Sequence, residues 1–314
     1  MRRAVLLPAM LLVLVWLALA GGRNWLGPSA LVQGLLDRQD FLIYGLRLPR
    51  LLIAVGAGMA LGMAGALMQG LTRNPLATPD IIGLTQGAGL GFAIALLMDL
   101  PLLAGAACGA ALAVVCVALL AQGRGALAFV LFGIGIGATA AAATTVLLVL
   151  APDAKAARAM IWLSGSLARA DLATAGWVWL VLLAGGALIA LRAHRLGLLW
   201  LGDDVMASLG VDLSRMRFLV LGLVTALTAA STLAVGPIGF VAFVAAPLAR
   251  AISGAEAPAI WPAALTGACL LVAADLVARL VAPVAVFPTG LVMGVIGAPY
   301  LIFFLWRDRQ EARA

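Results

Sequence analysis

Charged residues are scarce in this sequence of 314 residues: 11% are charged, whereas 65% are hydrophobic. A soluble domain carries about 25% charged residues, so the composition excludes an ordinary soluble fold. A membrane-spanning helix needs about 20 apolar residues, and about ten such helices would use about 200 residues, close to the hydrophobic share of the chain. The apolar runs are continuous rather than alternating, which argues against a barrel of strands. The sequence therefore predicts an all-α, polytopic membrane protein.

Residues that catalyse reactions or hold metals are also few. The chain has three cysteines, Cys108, Cys116 and Cys269, all in apolar runs, and one histidine, His194. Their spacing resembles no metal site. The chain contains no G-x-x-x-x-G-K-[ST] loop, no G-x-S-x-G motif and no cluster of paired carboxylates. We therefore predict a protein that is not an enzyme, has no metal or cofactor site of its own and cannot hold ATP in a P-loop.

Apolar runs occupy most of the chain and leave no room for a soluble domain, so residues 1–314 are predicted to form a single transmembrane domain. The first run is longer than a usual signal peptide, which predicts an uncleaved first span with its N-terminus inside. Alternating spans then return the C-terminus to the same side. The eighth run is short enough to cross only part of a bilayer. The ten runs are 4–20, 49–70, 81–98, 101–121, 126–150, 175–191, 216–235, 238–252, 261–281 and 289–306.

Basic residues outnumber acidic ones, 20 to 13, and give a net charge of +7. In a soluble protein this excess would suggest a nucleic-acid partner. In a membrane protein, arginines at helix ends anchor the chain and set its topology, so no nucleic-acid partner is expected. Alternating spans place twelve basic residues inside and eight outside. The distribution agrees weakly with the positive-inside rule, and the outer charges require another explanation.

Small residues recur at four-residue spacing in two of the runs. One ladder comprises Gly58, Gly62, Ala66 and Gly70, and a second ladder begins at Gly83 and continues through Gly87 and Gly91. Small residues at this spacing allow helices to approach each other closely in lipid. We therefore interpret them as helix-packing surfaces rather than nucleotide-binding loops.

The longest inner loop, 192–217, reads RAHRLGLLWLGDDVMASLGVDLSRMR. Asp203 or Asp204 is expected to cap a short helix, and Gly210 is expected to end it. Asp212 can then cap the helix that continues into the seventh run. The loop therefore predicts a short cytoplasmic helix lying parallel to the membrane.

This short helix has an apolar face, because Val205 and Leu209 lie four residues apart. Such a face could lie in the lipid headgroups or enter a groove on another protein. The two adjacent acids argue against anionic lipid and favour a protein groove, but the residues alone leave both alternatives open.

The segment QGLTRNPLATPDIIGLTQG separates the second and third runs. Pro75 and Pro79 are expected to end one helix and start the next. Arg73 lies at the inner interface, and Asn74 and Asp80 can satisfy backbone groups freed at the break. The segment is predicted to be an inner hairpin, either a plain connector or part of the cytoplasmic mouth.

Several motifs, found in order along nearly the whole chain, resemble one family. The chain is similar to the permease subunits of type II ABC importers for iron chelates and cobalamin, the FecCD type, and most similar to the ferric-siderophore, catecholate-like branch. The motifs are RLPRLLIAVGAGMALGMAGALMQGLTRNPLATPDIIGLTQGAG, WLSGSL, LGDDVMASLGVDLSRMR, GPIGFVAFVAAPLAR, ADLVAR and GLVMGVIGAPYLIFFL.

The resemblance implies a bacterial inner-membrane subunit with ten helices that assembles with three kinds of partner. These are a second permease (a homologous heterodimer is favoured over a homodimer), two cytoplasmic ATPases that bind ATP and Mg²⁺, and an external substrate-binding protein. Cobalamin or haem remains an alternative substrate to a ferric siderophore within the same family.

The resemblance also implies site residues. In the family, arginines at the positions of Arg47, Arg50 and Arg279 dock acids on the binding protein, which suits arginine because it grips carboxylates with two hydrogen bonds. Snorkelling anchors are the alternative reading of these arginines. The cytoplasmic gate maps to Ala126 and Leu127.

The short helix of the inner loop would be the element that couples the permease to its ATPase. The resemblance therefore favours the protein groove over the lipid headgroups for its apolar face. The coupling residues carried over from the family are Gly202, Asp203, Asp204, Ala207, Leu209 and Gly210.

A different class of transporter provides the main rival prediction. Asp275 lies deep in an apolar run, and an intramembrane acid can couple transport to an ion. It also lies four residues before Arg279, so the spacing predicts an ion pair within one helix, and we prefer this structural pair. Two positions depart from the common family pattern, Leu248 after Pro247 and Val286 before FPTG.

Overall fold

The computed structural model describes residues 5–22, 25–122, 125–255, 258–281 and 287–311. These residues form fourteen α-helices and no β-strand, which confirms the predicted all-α class. The helices are α1 (Leu6–Ala20), α2 (Pro28–Leu36), α3 (Leu48–Thr72), α4 (Leu84–Leu97), α5 (Leu102–Ala121), α6 (Gly125–Leu150), α7 (Asp153–Leu163), α8 (Leu172–Leu191), α9 (Ala193–Gly197), α10 (Asp203–Ser208), α11 (Leu213–Val235), α12 (Val241–Ser253), α13 (Ile260–Val281) and α14 (Thr289–Glu311).

Each of the ten apolar runs corresponds to an apolar helix, in the same order. Within the described ranges, six helical segments are long and apolar enough to cross a membrane, namely Phe41–Thr72, Leu102–Ala121, Ala128–Leu150, Leu172–Leu191, Leu213–Val235 and Ile260–Val281. Four shorter apolar helices complete the set, namely Leu6–Ala20, Leu84–Leu97, Val241–Ser253 and Thr289–Phe303. The chain is therefore a multi-pass membrane protein, and the exact number of spans stays a prediction.

The second span begins earlier than its apolar run indicates. A π-helical segment, Phe41–Arg47, leads directly into α3 and gives a continuous helix of 32 residues. Asp40 caps this segment, because its carboxylate accepts hydrogen bonds from the backbone N–H groups of Leu42 at 2.8 Å and Ile43 at 3.2 Å. A carboxylate is favoured at this end by the helix dipole.

Three further helices, α2, α7 and α9, were not anticipated as apolar runs. They are short, and exposed residues occupy much of their surfaces. Helix α7 nevertheless packs on the bundle, since Trp162 stacks on Phe92 of α4 with ring centroids 4.1 Å apart and planes 4° from parallel.

Helix α3 lies at the centre of the bundle and contacts α8, α11, α12 and α13. The first glycine ladder faces α13: a Cβ on Gly58 would meet the backbone of Gly267 and Ala268, and one on Gly62 would meet the backbone of Ala263. This confirms the expected role of the ladder, because only a glycine lets two backbones approach this closely.

The second ladder packs α4 on α5 in the same way. A Cβ on Gly87 would meet the carbonyl oxygen of Gly109, and one on Gly91 would meet that of Gly105. The two ladders therefore bring neighbouring helices together without using charged or hydrogen-bonding side chains.

Helix α3 spans 25 residues, or about 37 Å at 1.5 Å per residue. One end adjoins the C-terminal turns of α1 and α13, and the other adjoins α10 and the start of α11. The fold therefore places two groups of charged side chains at opposite ends of one buried helix.

Candidate functional site

Three arginines line a cavity of about 280 Å³ at the end of the bundle where α3 begins. Arg47 ends the π-helical segment, Arg50 lies in the first turn of α3, and Arg279 lies in the last turn of α13. We call this space the arginine cavity; Leu167, Ala168 and Ala170 line another part of its wall. The fold thus brings together the three arginines that the family resemblance grouped.

Asp275 is the carboxylate that holds two of these arginines. Arg50 Nε donates to both of its oxygens, at 2.9 and 3.1 Å, and Arg50 Nη2 lies 2.7 Å from Oδ1. Arg279 Nε lies 3.1 Å from Asp275 Oδ2, which confirms the ion pair predicted within α13. Thr289 also donates to Asp275, at 3.3 Å. The contact with Arg50, from a residue 225 positions away, was not foreseen.

The C-terminal carbonyl groups of α1 accept hydrogen bonds from two of the arginines, Arg47 and Arg279. Arg47 donates to the carbonyl oxygens of Leu19 and Ala20, the latter at 2.8 Å. Arg279 donates to those of Ala18 and Gly21, both at 3.1 Å. The last carbonyls of a helix lack partners within the helix and carry its negative dipole end. The two arginines therefore cap α1 across the fold.

The arginine cavity is electropositive, because three guanidinium groups line it against two described carboxylates: Asp275 pairs with Arg50 and Arg279, and Asp40 attracts Arg47. The side chains of Arg50 and Arg279 are 21% and 15% exposed, whereas Arg47 is only 6% exposed. Such a cavity can accept a further carboxylate through Arg50 and Arg279. The docking role of the three arginines stays a prediction.

The loop at the opposite end of α3 contains the predicted short helix, α10. Neither Asp203 nor Asp204 caps it: the N-cap residue is Gly202, and both acids lie in the first turn. The prediction of an acidic cap was wrong by one position because Gly202, at φ +94°, makes the reversal that starts the helix. Two acids in the first turn still interact favourably with the helix dipole.

The other predicted ends of this loop agree with the structure. Gly210 follows α10 in the left-handed conformation at φ +75°, and its N–H and that of Val211 bond back to Ala207 and Met206 at 3.0 Å. This is a Schellman ending, for which glycine is preferred. Asp212 caps α11 by accepting a hydrogen bond from the backbone N–H of Arg215 at 3.1 Å.

The two adjacent acids of α10 have different surroundings. Asp203 is paired with Arg217 of α11, whose Nη2 lies 2.6 Å from its Oδ2, and Arg73 lies 3.8 Å from the same oxygen. Asp204 is exposed and has no ion pair with any described residue. A Cβ on Gly202 would lie 3.1 Å from Arg73. Asp203 therefore holds α10 against the bundle, while Asp204 remains accessible.

The apolar face of α10 points away from the protein. Val205 and Leu209 are 45% and 59% exposed, whereas Met206 on the opposite face is 4% exposed. Ala207 is exposed as well. An exposed apolar face beside an unpaired acid is suited to a groove on another molecule.

The inner hairpin contacts this loop directly. Helix α3 ends at Thr72, and Arg73 adopts a left-handed conformation at φ +50°, which is uncommon for a residue other than glycine or asparagine. This conformation ends α3 at Thr72, three residues before Pro75, so Arg73 rather than the predicted Pro75 ends the helix. Arg73 lies beside Asp203 and Gly202, so the hairpin supports α10 rather than serving only as a connector.

The two polar residues of the hairpin have different partners from each other. Asn74 accepts a hydrogen bond from the backbone N–H of Leu76 at 2.9 Å, as predicted for a freed backbone group. Asp80, which follows the buried Pro79, instead accepts a hydrogen bond from the hydroxyl of Thr85 at 2.6 Å. The prediction that Asp80 satisfies a backbone group was therefore wrong. Desolvation raises the pKa of Asp80, and the Thr85 hydrogen bond opposes this shift.

Some predicted positions lie outside the described residues. Ala126 and Leu127, the predicted gate, belong to the first turn of α6, and their side chains are not among those described. Val286 is also outside the described ranges. Leu248 is half-buried in α12 beside the buried Pro247.

Sequence reasoning missed the partners that cross the fold. Arg217 and Arg73 bind Asp203 from separate segments, and Arg250 of α12 lies over the ring of Trp200, 5.6 Å from its centroid. Sequence spacing gives no signal for such pairs, because their members are far apart in the chain. The excess of arginine at inner helix ends was the available hint.

Comparison with known proteins places the chain in a family. The model of the FecCD transport family matches residues 10–307. The Fe(3+)-citrate import system permease protein YfmE of Bacillus subtilis is 34% identical, over 98% of this chain and 95% of that protein. The Fe(3+) dicitrate transport system permease protein FecD of Escherichia coli is 37% identical, over 86% of each. The ferric enterobactin transport system permease protein FepG of Escherichia coli is 38% identical, over 84% of this chain and 82% of that protein.

A solved structure agrees with the fold. A chain described as an inward-facing conformation of a metal-chelate type ABC transporter superposes with a TM-score of 0.84 at 27% identity, covering 97% of this chain and 98% of that chain. The helical membrane bundle and these relatives define the class: the protein is a permease subunit of an ABC transporter and not itself an enzyme. Within that class, it belongs to the FecCD transport family.

Proposed function

We propose that this chain is the permease subunit of an ATP-driven importer that moves a ferric chelate, of the siderophore type, into the cytoplasm. Relatives named for ferric citrate and ferric enterobactin support this substrate class. Relatives named for hemin and cobalamin keep those ligands as the alternatives. The whole chain, 1–314, acts as one transmembrane domain.

One observation carries the proposal: a single buried helix links two charged ends. Arg47 and Arg50, in the arginine cavity, and Arg73, beside α10, all belong to the continuous segment 41–73. A rigid helix of this kind can transmit a displacement from one face of the membrane to the other. Coupling of an outer docking event to an inner ATPase requires such a connection.

At the outer face, the arginine cavity receives an acidic side chain of the substrate-binding protein. Arg50 and Arg279 share their donors between Asp275 and the incoming carboxylate, since each guanidinium has five N–H groups. Arg47 contributes positive charge from its position under the end of α1. Contacts of this kind set orientation and association rate more than affinity.

At the inner face, α10 inserts its exposed apolar side, Val205 and Leu209, into a groove of the ATPase. Asp204 is free to contact that partner, whereas Asp203 keeps α10 attached to α3 and α11. Closure of the ATPases on ATP then pulls α10 and tilts the helices to which it is attached. The gate at Ala126 and Leu127 opens or closes in response.

The proposed assembly contains a second permease, two ATPases that bind ATP and Mg²⁺, and an external binding protein. The second permease is a homologous heterodimer partner or, alternatively, a second copy of this chain. This chain binds no cofactor, and nucleic acid is not a partner. It lies in the bacterial inner membrane with both termini in the cytoplasm.

An ion-coupled transporter is less consistent with the surroundings of Asp275. This acid is 3% exposed and is held by Arg50, Arg279 and Thr289. Both carboxylate oxygens are already occupied by partners on α3, α13 and α14, so Asp275 joins three helices. Its surroundings therefore favour the structural role.

Uptake of a radioactive ferric siderophore into cells tests the proposal. We expect uptake to need the partner ATPase and to fall at least tenfold when Arg50 is changed to glutamine, because the acidic side chain of the binding protein loses one of its charged hydrogen-bond donors. Arg50 is the suitable target, since Asp275 keeps its ion pair with Arg279 and the hydrogen bond from Thr289 in this variant. Arg158→Gln, an exposed arginine on α7, is the matched control and should leave uptake unchanged.

Binding-protein docking to the purified complex separates the parts of the proposal. Arg50→Gln should weaken docking while ATPase association stays intact. Uptake that persists without the ATPase but stops with an uncoupler would replace the proposal with ion coupling. Normal docking of the Arg50→Gln variant would remove the arginine cavity from the docking site.

A further inference from the structure

An open apolar groove lies between helices α8 and α11, and the proposed transport cycle does not use it. Its volume is about 470 Å³. Leu180, Ala184 and Leu188 line it from α8, and Leu219, Gly222 and Ala226 line it from α11. We call it the α8–α11 groove. No polar side chain is among the residues that line it.

The groove occupies one half of the membrane. On α8 its lining begins at Leu180, about midway along Leu172–Leu191, and from there to the end of the helix is about 16 Å. Half of a bilayer core is about 15 Å. On α11, which runs the opposite way, the lining extends from Phe218 to Leu227, a length of about 14 Å. The groove therefore matches the acyl region of a single leaflet.

Arginines stand at the headgroup end of the groove. Arg192 follows Leu188 by one helical turn, and Arg215 precedes Leu219 by one turn, so both lie on the groove side of their helices. Arg192 and the nearby Arg195 are exposed and have no ion pair with any described residue. Arg215 is paired with Asp212 at 3.0 Å in an exposed position, which screens it only in part.

An exposed aromatic residue lies at the same end of the groove. Phe218 lines the groove and is 83% exposed. It lies between the arginine at 215 and the apolar lining further along α11. A basic interface above an apolar slot of leaflet depth is complementary to one kind of molecule, a phospholipid with a negatively charged headgroup.

We propose that the α8–α11 groove is a binding site for an anionic phospholipid of the leaflet that contains Arg192. One acyl chain lies along Gly222 and Ala226 on one side and Ala184 on the other, and the phosphate lies near Arg192 and Arg195. The groove is open beside Gly222, where an added Cβ would meet no atom within 4 Å. The site is independent of the binding protein and of ATP.

The charges at the end of the groove argue against an apolar helix of a second permease as the occupant. Arg192 and Arg195 are exposed and have no ion pair with any described residue. An anionic lipid supplies the negative charge that complements these arginines, whereas an apolar helix does not.

Two measurements test the proposal. Native mass spectrometry of the purified chain detects retained phospholipid, and reconstitution into vesicles of phosphatidylglycerol or phosphatidylcholine compares the binding of the two lipids. We expect one retained phospholipid per chain with a preference for phosphatidylglycerol. Gly222→Leu should abolish its retention, because the new side chain fills the groove without displacing a neighbour. Arg192→Gln should reduce the preference for phosphatidylglycerol about fivefold, the contribution of one basic residue near an anionic surface.

Gly176→Leu is the matched control, since this glycine is exposed on α8, outside the groove, and also has no atom near an added Cβ. It should retain the lipid as the unchanged chain does. Equal retention by Gly222→Leu, or equal binding of the two lipids, overturns the proposal. Loss of permease dimers in Gly222→Leu, with lipid retained, would show instead that the groove is a protein interface.

Discussion

At the scale of single residues, buried arginines in this protein complete the ends of other helices. Arg47 and Arg279 occupy carbonyl groups at the end of α1, and Arg50 joins Arg279 on Asp275. Each guanidinium thus has protein partners in a largely apolar surrounding, where an unpaired charge would be costly. The snorkelling interpretation of these arginines is incomplete, because their heads bind protein rather than reaching for water.

Asp80 gives a residue-scale prediction about pH. Its folded-state pKa is raised by desolvation, so the unfolded chain ionises at lower pH than the folded one. The stability that protonated Asp80 contributes is therefore fully present below the unfolded-state pKa of about 3.9. It is lost as the pH rises through the folded-state pKa. Asp80→Asn removes this loss and can still accept the Thr85 hydrogen bond. We expect its Tm to exceed that of the unchanged chain by a few degrees at pH 8 and to match it near pH 4.

The control for this measurement is Asp37→Asn, an exposed aspartate that bonds the backbone N–H of Gln39. Its Tm difference should stay nearly constant across the same pH range. A pH-independent difference for Asp80→Asn would contradict the desolvation of this half-buried carboxyl. Both variants are measured in the same detergent, so only the change at the residue matters.

At the scale of elements, α10 is held by charge on one side and exposes apolar residues on the other. Its first turn is fixed by Gly202, whose φ of +94° only glycine readily adopts, and its last turn by Gly210. Asp203 binds Arg217 of α11 and lies near Arg73 of the hairpin. The helix is thereby attached to two membrane spans at once.

A charge exchange tests this attachment. Asp203→Arg and Arg217→Asp should each break the 2.6 Å ion pair and reduce transport-coupled ATP hydrolysis. Because the pair is half-exposed, each change should lower the free energy of unfolding by about 1 kcal/mol or less. The double exchange restores opposite charges and should recover coupling in part. Failure of any recovery would show that Asp203 contacts the ATPase directly. The comparison variant Asp204→Asn should leave stability unchanged and weaken only ATPase association.

At the scale of the whole molecule, the two charged ends of α3 must face opposite sides of the membrane. The proposed orientation puts Arg195 inside and Arg38 outside, both exposed. A single cysteine at each position, in a chain without its native cysteines, should react with a membrane-impermeant maleimide from opposite sides. Arg38→Cys should be labelled in intact cells lacking an outer membrane barrier, and Arg195→Cys only after lysis. Labelling of Arg195→Cys in intact cells would invert the proposed topology.

Much of this architecture followed from local sequence. The ten apolar runs predicted apolar helices in the right order, and the small-residue ladders predicted helix contacts at Gly62 and Gly91. Helix ends were less predictable: the π-helical extension before α3 ends in the charged Arg47, and Arg50 follows in the first turn of α3, so the apolar signal is interrupted. The N-cap of α10 is Gly202, one residue before the predicted Asp203. Sequence alone does not distinguish the two, because both glycine and aspartate are common N-cap residues.

The sequence by itself determined the class of protein, because hydrophobic runs and spacing within one helix are local properties. It also contained the pair between Asp275 and Arg279, whose members are one helical turn apart. Only the tertiary structure decided that Arg50 joins this pair, that two arginines cap α1, and that Arg217 and Arg73 hold Asp203. These contacts join distant segments, and their geometry depends on how the helices pack around α3 rather than on any neighbouring residue.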